Sequence, residues 1–221
     1  MLGNNPKRPP VKGDGHTLDV QEIFPTLQGE GPFAGHPAIF IRLGGCNLAC
    51  KFCDTEFESF QTHHCDQILS TIEQLNTQKQ FKLIVITGGE PFRQPIEYLC
   101  QALLNAHYQI QIETNGTLYR PLPDNISIVC SPKPSKEGYH PIRPDLLPMI
   151  SAFKFIISTT RPNYDKVTDI GQRAHHIPVY VQPMDEYDDA QNIANVKHAR
   201  DLALQHGYRL SLQLHKILDI P

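Results

Sequence analysis

Leu83-Ile84-Val85-Ile86 is apolar at four successive positions, and a strand that reads this way must be covered on both faces. Further short runs of β-branched or apolar residues recur along the chain: LDVQEIF, AIFIRL, KLIVIT, YQIQIET, ISIVCS, AFKFIIS, IPVYVQP and RLSLQL. Between some of them lie helical stripes. Ile96, Leu99, Cys100, Leu103 and Leu104 share one helix face, Ile68, Leu69, Ile72 and Leu75 form another, and Ile193, Val196, Ala199 and Ala203 a weaker one. Strands alternating with helices predict an α/β fold around a largely parallel sheet. Right-handed crossovers then restrict it to an open doubly wound sheet or a full or partial barrel. The 221 residues fall short of the ~250 of a complete eightfold barrel. The expectation is therefore a partial (incomplete) TIM-like (β/α) barrel. No linker or repeat divides the chain, so residues 16–221 are expected to form a single catalytic domain behind a flexible polar tail, residues 1–15.

The formal net charge is −3 and no Lys/Arg block occurs, which argues against a phosphate-gripping nucleic-acid surface and for a small substrate. No apolar run approaches the roughly 18 residues of a membrane span, and the first fifteen residues lack the apolar stretch of a secretory signal. The expected setting is cytoplasmic, with no membrane partner. Chemistry-bearing residues gather where the strands end: Thr87-Gly88-Gly89-Glu90-Pro91, Glu113-Thr114-Asn115-Gly116, Ser131-Pro132-Lys133, Gln182-Pro183 and Gln213-Leu214-His215. In parallel sheets and barrels that edge carries the active site.

Six cysteines without an export signal are poor candidates for disulfides. Three of them stand as C-x3-C-x2-C at Cys46, Cys50 and Cys53, in the loop GGCNLACKFCDT. Thiolates this close in sequence wrap one soft metal centre. On a four-iron cubane three cysteines leave one iron open, and an open coordination position is where catalysis occurs. The alternative is a zinc site completed by His63, His64 or Cys65, although no second paired unit is present. Cys100 and Cys130 read as core residues, and Cys65 begins a helix.

C-x3-C-x2-C with aromatic Phe52 before the last cysteine resembles the signature of the radical S-adenosylmethionine superfamily, and Gly88-Gly89-Glu90-Pro91 resembles its second motif. The resemblance implies a 4Fe–4S cluster whose fourth iron chelates S-adenosylmethionine, a deoxyadenosyl radical made by one-electron cleavage, and the partial barrel reached above. A narrower resemblance covers nearly all of the chain after residue 16. Leu27-Gln28-Gly29-Glu30-Gly31, Phe40-Ile41-Arg42, Cys53-Asp54-Thr55, Glu113-Thr114-Asn115-Gly116-Thr117, Ser131-Pro132-Lys133 and His215-Lys216 follow, in order, the pattern of the 7-carboxy-7-deazaguanine synthases of queuosine and 7-deazapurine biosynthesis.

This second resemblance implies a carbon–nitrogen lyase that converts 6-carboxy-5,6,7,8-tetrahydropterin to 7-carboxy-7-deazaguanine by radical ring contraction with loss of ammonia, assisted by Mg2+. Its implied site residues are Cys46, Cys50 and Cys53 as cluster ligands and Glu113 near the reacting centre. Phe52, Cys53, Asp54, Gly89, Glu90, Ser131, Pro132 and Lys133 would line S-adenosylmethionine. Leu27, Gln28, Gly29, Glu30, Arg42, Thr87, His215 and Pro221 would line the substrate, and Thr55 would hold Mg2+. Arg42 is expected to fork the substrate carboxylate; its alternative is an ordinary ion pair. Partners implied are the pterin, a flavodoxin-like or other one-electron reductant and a second copy of the chain in a homodimer. Rival readings are another radical enzyme such as a glycyl-radical activase, a zinc-binding module, and a redox carrier.

Overall fold

The computed structural model describes residues 5–51, 53 and 55–221. In chain order the strands are β1 (Thr17–Leu27), β2 (Pro37–Leu43), β3 (Gln61–His64), β4 (Leu83–Gly88), β5 (Gln109–Thr114), β6 (Ile126–Cys130), the short pair β7 (Pro134–Ser135) and β8 (Gly138–Tyr139), β9 (Ile150–Ile157), β10 (Val179–Pro183) and β11 (Arg209–Leu210). The helices are α1 (Cys65–Leu75), α2 (Glu97–Asn105), α3 (Asp189–His206) and α4 (Leu214–Leu218). One sheet runs β11-β10-β9-β6-β5-β4-β2-β1-β3. From β2 to β11 each neighbouring pair is parallel, whereas β1 lies antiparallel to β2 and β3. This is the mixed α/β sheet of an incomplete TIM-like barrel.

Side chains alternate across a strand, and here the alternation divides core from cavity. Ile39, Ile41, Leu43, Ile84, Ile86, Ile110, Ile112, Ile128, Phe153, Phe155, Ile157 and Val181 join one buried cluster with Ile68 and Ile72 of α1 and Leu99 and Leu103 of α2. The residues between them, Phe40, Arg42, Thr87, Glu113, Lys154, Ile156 and Gln182, line a cavity on the other face. Leu83-Ile84-Val85-Ile86 is buried throughout, on both faces of the sheet, and the strand opens on the cavity only at its end, at Thr87 and Gly88.

Two local expectations change. The helical stripe of α3 does not face the sheet through Ile193 and Val196, which are exposed; Asn195, Ala199 and Leu202 are buried instead. Asn195 accepts from Thr159 N–H at 2.9 Å and donates to the Met184 carbonyl at 3.0 Å, satisfying loop backbone beyond β9 and β10. The run RLSLQL is a strand only at Arg209–Leu210, because Ser211 turns to accept from Gly31 N–H at 2.9 Å and Leu214 N–H bonds Gly29 O at 3.1 Å. His63 and His64 lie in β3, and Gln67 accepts from His64 N–H at 2.9 Å at the start of α1.

The expected flexible tail is held from residue 5 onward. Arg8 N–H bonds Cys46 O at 2.7 Å and Val11 N–H bonds Arg93 O at 2.6 Å. Arg8 also pairs with Glu58 at 2.6 Å, and Arg120 donates to Val11 O at 2.6 Å.

The end of β4 closes on the loop that follows β2. Gly89 N–H bonds Leu43 O and Glu90 N–H bonds Gly45 O, each at 3.1 Å. A Cβ on Gly88 would lie 2.1 Å from Leu43 O, and one on Gly89 2.1 Å from Gly45 O. Gly88 also sits at φ +128°, where a side chain is strained. We therefore expect Gly88→Ala to lower the unfolding free energy by about 2 kcal/mol or more, read from urea melts. An unchanged midpoint would contradict the close approach.

Candidate active site

Cys46, Cys50 and Cys53 are positioned by the loop that leaves β2. Cys46 O is tied to Arg8, and Gly45 N–H bonds Phe57 O at 2.9 Å. Arg93, only 3% exposed, donates to Gly44 O from Nη2 at 2.9 Å and pairs with Asp19 at 3.1 Å, bracing the loop from behind. From β5, Asn115 donates to Asn47 Oδ1 at 2.9 Å, and Asn47 donates to Thr117 Oγ1 at 2.7 Å. The strand-end motif Glu113-Thr114-Asn115-Gly116-Thr117 is therefore also a brace for the cysteine loop.

The three cysteines line one cavity of about 430 Å³. Burial pushes the Cys46 thiol up to about 12 and the Cys50 thiol upward as well. Soft donors such as Cys46 and Cys50, kept neutral until a cationic centre displaces their protons, fit a metal cluster. Among the described residues no three His, Cys, Asp or Glu side chains surround one ion-sized point. The irons of a cubane sit at separate corners, so the thiolates that bind it stand apart.

Beside the thiols, Gly89, Asn115, Ser131 and Lys133 contribute to the wall. Lys133 Nζ donates to Ser131 Oγ at 2.7 Å and to Ser131 O at 2.9 Å. Two residues expected against S-adenosylmethionine are not on this wall. Pro132 is buried away from it, and Glu90, fully buried, turns inward. Glu90 Oε1 accepts from Thr114 Oγ1 at 2.7 Å and Phe92 N–H at 3.1 Å, while Oε2 accepts from Asn115 N–H at 2.7 Å. Burial pushes its carboxyl up to about 7 against these three bonds. Glu90 thus holds the backbone of Asn115 and does not face the cavity. Phe52 and Asp54 lie outside the described residues.

Expected substrate residues Leu27, Gln28, Gly29, Glu30, Arg42, Thr87, His215 and Pro221 all reach the same cavity, as do Glu113, expected near the reacting centre, and Thr55. Arg42 Nε bonds Glu22 at 2.6 Å, and its guanidinium stacks 5.5 Å from the Phe24 ring centroid. The ordinary ion pair is therefore real, but it engages Nε rather than the paired Nη edge. The C-terminal segment folds back over the opening: Thr26 donates to Pro221 O at 2.8 Å, Lys216 pairs with Asp185 at 2.8 Å, and the His215 ring lies on Gly29.

The residue missed by sequence reasoning is Lys154 of β9. It is 5% exposed and its ammonium donates to Glu113 at 2.7 Å and to Glu30. Gln28 and Gln111 donate to Glu113 Oε1 at 3.2 and 2.7 Å, and Gln213 donates to Glu30 at 3.1 Å. Burial alone would push Glu30 up, but Lys154, His215 and Gln213 outweigh it and hold the carboxyl at about 2. A signal was present: Lys154 is the one charge in AFKFIIS, out of phase with Phe153, Phe155 and Ile157.

The fold and the three-thiol cavity define a radical S-adenosylmethionine enzyme, and the family model described as Radical SAM superfamily matches residues 40–129. The cofactors of that class are a 4Fe–4S cluster and S-adenosylmethionine. A 7-carboxy-7-deazaguanine synthase of Rickettsia prowazekii is 57% identical over 224 residues, covering 100% of this chain and 96% of the relative. One from Rhodospirillum rubrum is 41% identical, with 100% of both chains covered. The crystal structure of QueE from Escherichia coli superposes with a TM-score of 0.72 at 25% identity over 89% of this chain and 94% of that one. SuiB of Streptococcus suis, at 19% identity and a TM-score of 0.54, covering 76% of this chain and 46% of its own, shares the fold. The chain belongs to the 7-carboxy-7-deazaguanine synthase family.

The Glu30 environment gives a pH prediction. Its carboxyl is lowered from 4.5 to about 2, so its contribution is complete above pH 4.5 and is lost as pH falls through 2. Glu30→Gln should flatten the acid limb of stability between these values, by on the order of 3 kcal/mol, in urea melts taken from pH 6 to 2. An unaltered acid limb would contradict the ion pair.

Proposed function

We propose that the chain converts 6-carboxy-5,6,7,8-tetrahydropterin to 7-carboxy-7-deazaguanine with loss of ammonia. The observation that carries this reading is one cavity holding an arginine, a buried carboxylate pair and three thiols, in a chain of this family. Cys46, Cys50 and Cys53 would hold three irons, and Gly89, Ser131, Lys133 and Asn115 would contact S-adenosylmethionine. When bound, the cluster and S-adenosylmethionine would supply one-electron radical chemistry at the carbon bearing the carboxylate.

The chain's own residues bind and orient the substrate. Arg42 receives its carboxylate through the Nη edge, which is the geometry a guanidinium offers a carboxylate. Glu30 and Glu113 accept N–H bonds from the pyrimidinone edge, with Gln28 beside them. Thr87, next to Arg42 in register on β4, contacts the ring. His215 and Pro221 cover the opening and exclude water. Thr55 supplies one hydroxyl to Mg2+, a cation that keeps most of its waters. A flavodoxin-like or other one-electron reductant, a homodimer and a cytoplasmic setting complete the reading on the family resemblance. Among the described residues no helix is long and apolar enough to cross a membrane.

The test is anaerobic reconstitution of the cluster, followed by S-adenosylmethionine, reductant, Mg2+ and carboxypterin, with product mass measured. Formation of the deazaguanine acid supports the proposal; binding without that mass refutes it. Cys50→Ala should abolish turnover. Arg42→Ala should keep the cluster and raise KM about 10- to 100-fold, the worth of a charge-assisted hydrogen bond of about 1.5–3 kcal/mol. An unchanged KM in Arg42→Ala would overturn the carboxylate assignment.

A further inference from the structure

The cavity wall contains a group whose placement is unusual on elementary grounds. An ammonium with 6% side-chain exposure stands between two carboxylates at 16% and 15%. Lysines are seldom fully buried unless paired, and a lysine paired twice leaves the trio with one net negative charge. Strand alternation explains how it arrives there. Phe153 and Phe155 take the core side of β9, so Lys154 enters the cavity with Ile156. Glu113 comes from β5 and Glu30 from the loop after β1, and Lys154 of β9 pairs with both across these distant parts of the chain. Gln28, Gln111 and Gln213 donate to the same two carboxylates, and Glu30 N–H bonds Gln28 Oε1 at 3.1 Å.

We propose that Lys154 is a positioning residue for substrate: it holds Glu30 and Glu113 as a fixed pair of anionic acceptors, and the pair selects a ring edge that presents adjacent N–H donors. This inference rests on the pterin reading above. The 2-amino-4-oxo pyrimidine edge offers an amino group beside a ring N–H, which two deprotonated carboxylates can accept. A protonated carboxyl keeps only its carbonyl oxygen as a strong acceptor and adds an O–H donor, which weakens its match to that edge. Two carboxylates forced together without a cation cannot both stay ionised, and one takes up a proton. Lys154 prevents this: burial pulls its ammonium down, but Glu113 and Glu30 raise it well above its ordinary value.

The other charged and titratable groups around the trio are His215 and the Lys216–Asp185 pair from the C-terminal cover, Arg42 on β2, and Cys130 and Lys133 at the end of β6. All of these remain in Lys154 variants, so any pH dependence they cause is present in wild type too.

The experiment measures carboxypterin affinity anaerobically from pH 6 to 9, with the reconstituted holoenzyme and S-adenosylmethionine present. Wild type and Lys154→Arg should show little change across this range. Lys154→Gln should lose about 10-fold or more in affinity between pH 9 and pH 6, with the cluster absorbance retained. A flat profile for Lys154→Gln, whether at wild-type affinity or uniformly weakened, overturns the positioning role. Wild type, which needs no variant to fold, supplies a second reading with the analogue carrying a 2-oxo group in place of the 2-amino group. Binding of this analogue should be at least 10-fold weaker; equal binding overturns the selection of a donor edge. If wild type binds neither ligand, the pterin reading itself fails, and that result is separate from either of the others.

Discussion

The site depends on a backbone junction. Two glycine-bearing segments, Gly44-Gly45-Cys46 after β2 and Gly88-Gly89-Glu90 after β4, approach so closely that no side chain fits between them, and two main-chain hydrogen bonds lock them. That contact fixes where the first cysteine emerges. Glu90 extends it by binding the backbone after β5, and Asn115 returns a bond to the cysteine loop through Asn47. Three strand ends are thereby held in one mutual geometry before any cofactor is considered. Preorganisation of this kind is what a reactive centre requires of its scaffold.

Behind the junction, the sheet separates two solvents. One face meets α1 and α2 through Ile, Leu and Phe, and the other carries Arg42, Thr87, Glu113, Lys154 and Gln182 around a cavity. Buried charges are tolerated there because each is paired or hydrogen-bonded. The C-terminal segment then lies across the opening, bonded to β1 through Thr26 and Pro221 and to the end of β10 through Lys216 and Asp185. The same arrangement that satisfies the charges also gives the cavity a cationic residue, an anionic pair and a thiol-lined region.

Much of this was legible in the residues. The apolar runs marked β2, β4, β5, β6, β9 and β10, because burial of both strand faces leaves a direct compositional trace. The C-x3-C-x2-C loop and the strand-end motifs were legible because spacing in sequence is spacing in space over so few residues. What was hidden required tertiary contact. The antiparallel edge strand β3 is polar and carries no pattern. The buried face of α3 turns on Asn195, a polar residue whose value lies in loop backbone far along the chain. The inward turn of Glu90 follows from donors on β5, and the docking of residues 5–15 follows from carbonyls and carboxylates dozens of positions away. Lys154 was visible only as a charge out of phase in an apolar strand, and its meaning came from Glu30 and Glu113.

The central claim is that three thiolates bind a four-iron cluster and leave one iron for S-adenosylmethionine. It is tested most directly by iron and sulfide analysis of the anaerobically reconstituted protein together with the electron paramagnetic resonance of its reduced state. The account predicts about four irons and four sulfides per chain and a spectrum that shifts when S-adenosylmethionine is added. A single zinc per chain, or a reduced cluster whose spectrum ignores S-adenosylmethionine, would contradict it.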